Sequence, residues 1–290
     1  MPKIAILGSN GFLGTPIVYA FKKEGWEVIP FSRTIKRNLP AIDQAVNIFD
    51  ESSLQIALAL SKPDVVLSTA WVTEHGKFWS STSNPAYRDA TLRFAELSFK
   101  SGVETFIGLG TMSEYGLSPG LCNSEITPVV ATDIYSKSKI ETGLQLLDIG
   151  EKYGKRTHWA RIFQAFGPNE KAQRFVPSLI ESLKRDGSFN IRTPNYKMDW
   201  IHTADIASAI IFTIENDLNH FVDIGTGVGT TVKELSELIC LELGFNNSLL
   251  SFENQISGDE KMIVVDPSTQ ILSSGWKPEA SLRERLLYLS

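Results

Sequence analysis

Tyr135 and Lys139 stand four residues apart at the head of YSKSKIETGLQLLDIGEKYG, a stretch with the apolar spacing of a long helix. Side chains at i and i+4 share a helix face, so the phenol and the ammonium project together. A cation beside a phenol favours the phenolate, which makes proton exchange feasible near neutral pH. About two dozen residues upstream, the apolar run VETFIGL closes in GLGTMSEYG, Gly108 to Gly116, with Thr111 as a small hydroxyl residue at what reads as the mouth of a sheet. The tyrosine–lysine spacing alone is weak, because with seven tyrosines a lysine four residues on arises by chance in roughly a third of such chains. Order along the chain supplies the specificity.

The elements that would position these side chains are legible. Short β-branched runs, KIAIL, WEVIPF, DVVLSTA, TFIGLG and THWARIF, recur between amphipathic segments, the pattern of βαβ units and a parallel sheet covered on both faces. Directly after the first run comes Gly8-Ser9-Asn10-Gly11-Phe12-Leu13-Gly14, a GxxGxxG opening the first helix. Gly8 permits the tight turn, Gly11 lets the backbone approach a pyrophosphate, and Gly14 lets helix and strand pack, with the helix N-terminus toward the anion. The expectation is an α/β protein with a Rossmann-type doubly wound parallel sheet. Residues 1–167 form the dinucleotide-binding part, to which 199–225 return, and 168–290 form mainly a smaller C-terminal substrate-binding cap. From Asn190, NIRTPNYKMDWIHTADIASAIIFTIEND reads as an irregular stretch and then a helix.

The end of the second strand reports which dinucleotide binds, since an acidic side chain there accepts from the ribose hydroxyls and repels a phosphate. Here VIPFSRT offers no carboxylate. Ser32 and Arg33 supply a hydroxyl and a guanidinium fork suited to a 2′-phosphate, the alternative being a solvated arginine. NADP(H) is therefore expected over NAD(H).

A formal charge of -5 and a pI near 5.5 provide no basic face for nucleic acid. Cys122 and Cys240 have no partners at metal-ligand spacing, and the four histidines are scattered, so neither a zinc site nor a disulfide framework is expected. No apolar run reaches the roughly 18 residues of a bilayer span, and no leader is read before the first strand, so the expected compartment is the cytoplasm.

Taken in order, GxxGFLG at Gly8–Gly14, the run Leu67–Ala70, Thr111, Tyr115-Gly116, Tyr135 and Lys139, Gly167-Pro168, DWIHTADIA from Asp199, IGTG from Ile224 and GWKPEASLRERL near the end make the chain resemble the extended short-chain dehydrogenase/reductases, the nucleotide-sugar epimerases, dehydratases and reductases. The resemblance implies that Tyr135 is the general acid/base, that Lys139 holds the nicotinamide ribose and lowers the tyrosine pKa, and that Thr111 bonds the reacting oxygen. It also implies that Asn47 and Ile48 lie against adenine, that Ser68, Thr69 and Ala70 run beside the cofactor, and that the backbone near Phe163 meets the carboxamide. In the family the corresponding helices pair across a two-fold axis, which implies a homodimer; apolar helical stripes of this kind are more often simply core faces.

In the dehydratase branch the threonine is followed by Asp and Glu. Here those positions are Met112 and Ser113, which cannot supply the acid and base that elimination needs. Both are expected to face substrate. The expected activity is reduction of the 4-keto group of a nucleoside-diphosphate 4-keto-6-deoxysugar. The alternatives are a 4-epimerase with tightly bound NAD and a non-catalytic NADP(H) sensor. Among the loop residues after the fourth strand, Thr73 and His75 are candidate sugar contacts, and His75 equally reads as a surface histidine. Met198 stands where the family has an arginine for the pyrophosphate, so Lys197, Arg192 or Arg174 must replace it; Gln164 reads as a sugar contact or as packing.

Overall fold

The computed structural model describes residues 1–34, 44–72, 74, 76–185, 187–254 and 261–289. The first half of the chain runs β1 (Lys3–Leu7), α1 (Gly14–Lys23), β2 (Glu27–Ser32), β3 (Gln44–Ala45), α2 (Glu51–Ser61), β4 (Val65–Ser68), α3 (Asn84–Lys100), β5 (Thr105–Thr111), β6 (Gly120–Cys122) and α4 (Ile134–Tyr153). The remainder runs β7 (Arg156–Ile162), β8 (Gln164–Phe166), α5 (Phe175–Leu183), β9 (Phe189–Ile191), β10 (Lys197–His202), α6 (Thr203–Glu215), β11 (Phe221–Ile224), β12 (Gly229–Thr231), α7 (Val232–Leu243), β13 (Leu250–Phe252), β14 (Met262–Val265), α8 (Gln270–Ser273) and α9 (Leu282–Leu287).

The main sheet has the order β11-β7-β5-β4-β1-β2-β3, and every pair is parallel. Period-two alternation divides its side chains between two cores. Ile4, Ile6, Val65, Leu67 and Ile107 pack with α1 and α6, whereas Ala5, Leu7, Val66 and Phe106 pack with α2, α3 and α4. Winding reverses between β1 and β4, so the carboxyl ends of β1, β4 and β5 converge on the crevice where such sheets hold ligands.

Smaller sheets cover this end. β10 lies between β12 and β14, β14 continues to β6, β8 also pairs with β10, and β9 pairs with β13. A third apolar core joins α5, α7 and α9 through Leu179, Trp200, Leu235 and Leu286. β11 lies in the main sheet and α6 packs on α1, so the chain from 203 to 224 is physically part of the main layer. The segment read as irregular holds two strands instead, β9 and the start of β10. Asp199 looks out of place in a strand, but its buried carboxylate accepts from the amides of Thr226, Gly227 and Val265 (2.7, 2.8 and 3.3 Å). It pins β10 to the following loops, a tertiary contact that overrides local propensity. Among the described residues, no helix is long and apolar enough to cross a membrane.

Candidate active site

Local chemistry fixes the two chain segments that meet here. At the head of α4, Asp133 Oδ1 accepts from the Ser136 amide (2.7 Å) and Ser136 Oγ accepts from the Asp133 amide (3.1 Å), a reciprocal cap that sets the first turn and hence Tyr135. At the end of β5 the backbone tightens into a single turn, Met112–Tyr115. Thr111 Oγ1 accepts from the Ser113 amide (3.3 Å), and Glu114 Oε1 accepts from the Thr111 amide (2.9 Å).

These two caps bring Thr111 close enough to the Tyr135 phenol to lower its pKa, while the Thr111 hydroxyl itself donates to Ser113 Oγ (3.4 Å). Lys139 follows one turn along α4. Its ammonium donates to the Leu109 carbonyl (2.7 Å) and lies 3.7 Å from the centroid of the Trp71 ring, 5.5 Å from that of Trp159 and 5.9 Å from that of Tyr135. Burial is the main influence on both groups. It holds Lys139 down at about 7, with Glu114 acting in the opposite sense, and it raises Tyr135 above the ordinary phenol range. The influences lowering Tyr135 are the Thr111 hydrogen bond and Arg174. In this structure the Lys139 ammonium is turned to the Leu109 carbonyl and covered by indole, so the lowering of the phenol pKa expected of it has no direct contact with Tyr135 behind it.

The glycine turn fits a dinucleotide. Gly8 has φ +84°, and a Cβ there would stand 2.3 Å from Thr69 Oγ1; a Cβ on Gly14 would stand 2.1 Å from the Gly8 carbonyl. The turn hangs on β2, since the amides of Gly8 and Ser9 both donate to Phe31 O (2.8 and 3.2 Å). Gly11, Phe12 and Leu13 stay accessible at the N-terminus of α1, whereas Ser9 is buried with its hydroxyl on Phe31 O. Asn10 Nδ2 donates to Ser32 Oγ (2.9 Å) and Thr34 O (2.6 Å), and Ser32 Oγ donates to Thr34 O (2.7 Å). Ser32 is thus a strut between the glycine turn and β2, and the exposed residue beside it is Arg33.

Other expected contacts sort by how their groups are used. Thr69 Oγ1 bonds Leu7 O and Gly8 O (3.0 and 3.2 Å), so it braces the turn, while Ser68 is buried at the end of β4 and Ala70 is half-buried. Asn47 is exposed with Oδ1 on the Phe49 amide (3.1 Å), and the Ile48 side chain lies in the core, leaving its backbone for a ligand. The Phe163 amide already donates to Ile224 O (3.0 Å). Met112 and Ser113 are half-buried beside Thr111. Arg174 heads α5, with Nε on Glu170 Oε1 (2.6 Å), close enough to affect Tyr135; Gln164 pairs with Trp200 across β8 and β10. Lys197 instead lies beside Gly229 and Glu234, on the α7 side of the cap, and Arg192 is exposed. Thr73 and His75 fall outside the described residues.

The sequence places Trp79 in the loop after the fourth strand, where substrate-facing loops cluster, but shows neither its packing on Tyr135 nor a buried ion pair behind Thr111. Phe78 and Trp79 form a short turn whose rings meet the Tyr135 ring edge-on at 4.9 and 5.3 Å, and Trp79 remains 40% exposed. Their signal was the adjacent aromatic pair in GKFW. Buried Glu114 and Arg161 pair behind Thr111 at 2.8 Å; their signal was a lone arginine inside the apolar strand WARIF.

A parallel sheet with a glycine turn at its reversal point and a threonine, tyrosine and lysine gathered at the carboxyl end of β5 defines a dinucleotide-dependent oxidoreductase. The model of the NAD dependent epimerase/dehydratase family matches residues 4–225, and the chain belongs to that family. It is similar to a UDP-glucose 4-epimerase of Rhizobium meliloti, 25% identical over 96% of this chain and 93% of the relative. It is also similar to a GDP-L-fucose synthase of Sinorhizobium fredii (24%; 97% and 91%) and a dTDP-6-deoxy-L-talose 4-dehydrogenase (NAD(P)(+)) of Kitasatospora kifunensis (22%; 97% and 92%). The structure of the UDP-glucose 4-epimerase of Thermotoga maritima with UDP-glucose superposes with a TM-score of 0.82 at 24% identity, covering 99% of this chain and 96% of that one.

Proposed function

We propose that this enzyme uses NADPH to reduce the 4-keto group of a nucleoside-diphosphate 4-keto-6-deoxysugar. The observation that carries the reading is that the Thr111 hydroxyl and the Tyr135 phenol, a hydrogen-bond donor and a proton donor, stand together where the carboxyl end of β5 meets the head of α4. A bound dinucleotide supplies the hydride. Tyr135 gives its proton to the carbonyl oxygen, the Thr111 hydroxyl hydrogen-bonds that oxygen as charge develops, and Lys139 holds the ribose. Dehydration is disfavoured because Met112 and Ser113 carry no acid or base. The relatives named for nucleotide sugars support the substrate class, and the 4-dehydrogenase among them supports chemistry at that carbon.

The NADPH preference rests on Arg33 and on the absence of a carboxylate in the described end of β2. Calorimetric titration tests it: wild type should prefer NADPH over NADH by at least about tenfold, around 1.4 kcal/mol, and Arg33→Ala should lose most of that difference. Equal affinities in the wild type would count against the reductase. The second reading, a 4-epimerase with retained NAD, is favoured by the relatives of that name; stoichiometric NAD in the purified protein would support it. As part of the same proposal, the chain pairs with a second copy through α3 and α4. Their outer face carries Asp89, Arg93, Lys137 and Asp148 around the exposed Leu144, so the dimer should weaken with salt.

A further inference from the structure

The carboxylate of Glu114 is completely buried, although it lies one turn beyond Thr111 at the mouth of the sheet. All its contacts point inward. Oε1 accepts from the Thr111 amide (2.9 Å) and from Trp159 Nε1 (3.0 Å), and Oε2 accepts from Arg161 Nε (2.8 Å). The chain of bonds continues, with Arg161 donating to Tyr115 Oη (3.0 Å) and Tyr115 donating to Asp223 Oδ1 (2.7 Å). The sequence makes room for it: a Cβ on Gly110 would stand 2.6 Å from Glu114 Oε1 and 2.5 Å from Trp159 Nε1.

A buried ion pair is poor evidence for stability, because desolvation offsets most of the attraction. Its placement indicates another role. Resting on the proposed reductase reading, we propose that Glu114 is a positioning residue that, through the Thr111 amide, fixes the turn carrying the Thr111 hydroxyl and supplies a buried negative charge on the edge of the Trp159 indole, whose ring also lies 5.5 Å from the Lys139 ammonium. The charged and titratable groups around this set are Arg161 on β7, Asp223 on β11, Tyr115 in the same turn, Asp133 and Lys139 on α4, and Arg174 at the head of α5. Among them Glu114 raises the pKa of Lys139, opposing the burial that lowers it and so favouring the ammonium.

The test compares Glu114→Gln, Glu114→Asp and wild type in full-length protein. Removing the charge should shift the titration of Lys139 to lower pH by about half a unit or more, read by NMR on carbon-13-lysine-labelled protein and assigned with Lys139→Arg. It should move the pH profile of turnover the same way, lower kcat about 10-fold or more, and weaken NADPH binding at the pH where Lys139 has lost its proton. Glu114→Asp should restore the titration but not the full kcat, since its shorter arm keeps the charge and loses the reach to Thr111. A folded Glu114→Gln protein with a wild-type Lys139 titration and unchanged kcat overturns the proposal. If Glu114→Gln fails to fold, a Lys139 titration in folded Glu114→Asp that lies below wild type by about half a unit or more overturns the charge role. The NMR readout needs no substrate, so failure of the reductase reading appears separately, as wild type without turnover but with the Lys139 shift intact.

Discussion

The ammonium of Lys139 lies 3.7 Å from the centroid of the Trp71 indole. Trp71 is held there by its Nε1–H, donated to Asn84 Oδ1 (2.8 Å), and the same Asn84 side chain donates to Phe78 O (2.7 Å) and Ser81 O (2.8 Å). One buried asparagine thus ties the cover over Lys139 to the aromatic turn against Tyr135. The arrangement keeps water from the ammonium and replaces it with a π-face and one carbonyl.

This burial has a thermodynamic signature. The folded-state pKa of Lys139 is depressed to about 7 from an ordinary 10.5, so between these values the unfolded chain binds the extra proton and wild-type stability rises with pH. Lys139→Met should abolish that rise and stabilise the protein at neutral pH by about 1–4 kcal/mol, at the expense of cofactor binding. Denaturant melts across the window measure it; equal pH slopes for both proteins would contradict the burial argument.

Asp223 titrates with the opposite sign. Burial raises it to about 6, against the pull of Tyr115 and Arg161, from an ordinary 3.8. The folded state therefore binds the extra proton between these values, and the stabilising contribution present below about pH 4 is lost as pH rises through about 6. Relative to Asp223→Asn, wild type should lose roughly 2 kcal/mol between those limits. A stability difference independent of pH would rule this out.

At the cradle, Gly8→Ala forces a side chain into left-handed backbone and against Thr69. We expect a folding cost of about 1–3 kcal/mol and at least about tenfold weaker dinucleotide binding, read by thermal melts and calorimetry. Wild-type affinity in this variant would mean that the turn is not where the pyrophosphate binds.

The glycine turn and the parallel order were legible because they depend on residue types with one geometric use and on strands covered on both faces. Thr111, Tyr135 and Lys139 were legible through their order, not their spacing. Glu114 was not: between Ser113 and Tyr115 it reads as a surface carboxylate, and only the fold brings Trp159 and Arg161 to it. Asp199 hid β10 for the same reason, since its partners lie some 27 and 66 residues away. The direction of the Lys139 ammonium was also beyond sequence, because it is set by Trp71 on another strand's loop.

On the proposed reading Tyr135, beside Thr111, is the proton donor in a net reduction. The most direct measurement is NADPH oxidation with a nucleoside-diphosphate 4-keto-6-deoxyhexose by wild type and Tyr135→Phe. Wild type should consume one NADPH per ketone reduced, and the variant should lose about 10²- to 10⁴-fold in kcat with NADPH affinity retained. Wild-type turnover by Tyr135→Phe, or conversion of the sugar with no net NADPH consumed, would contradict it.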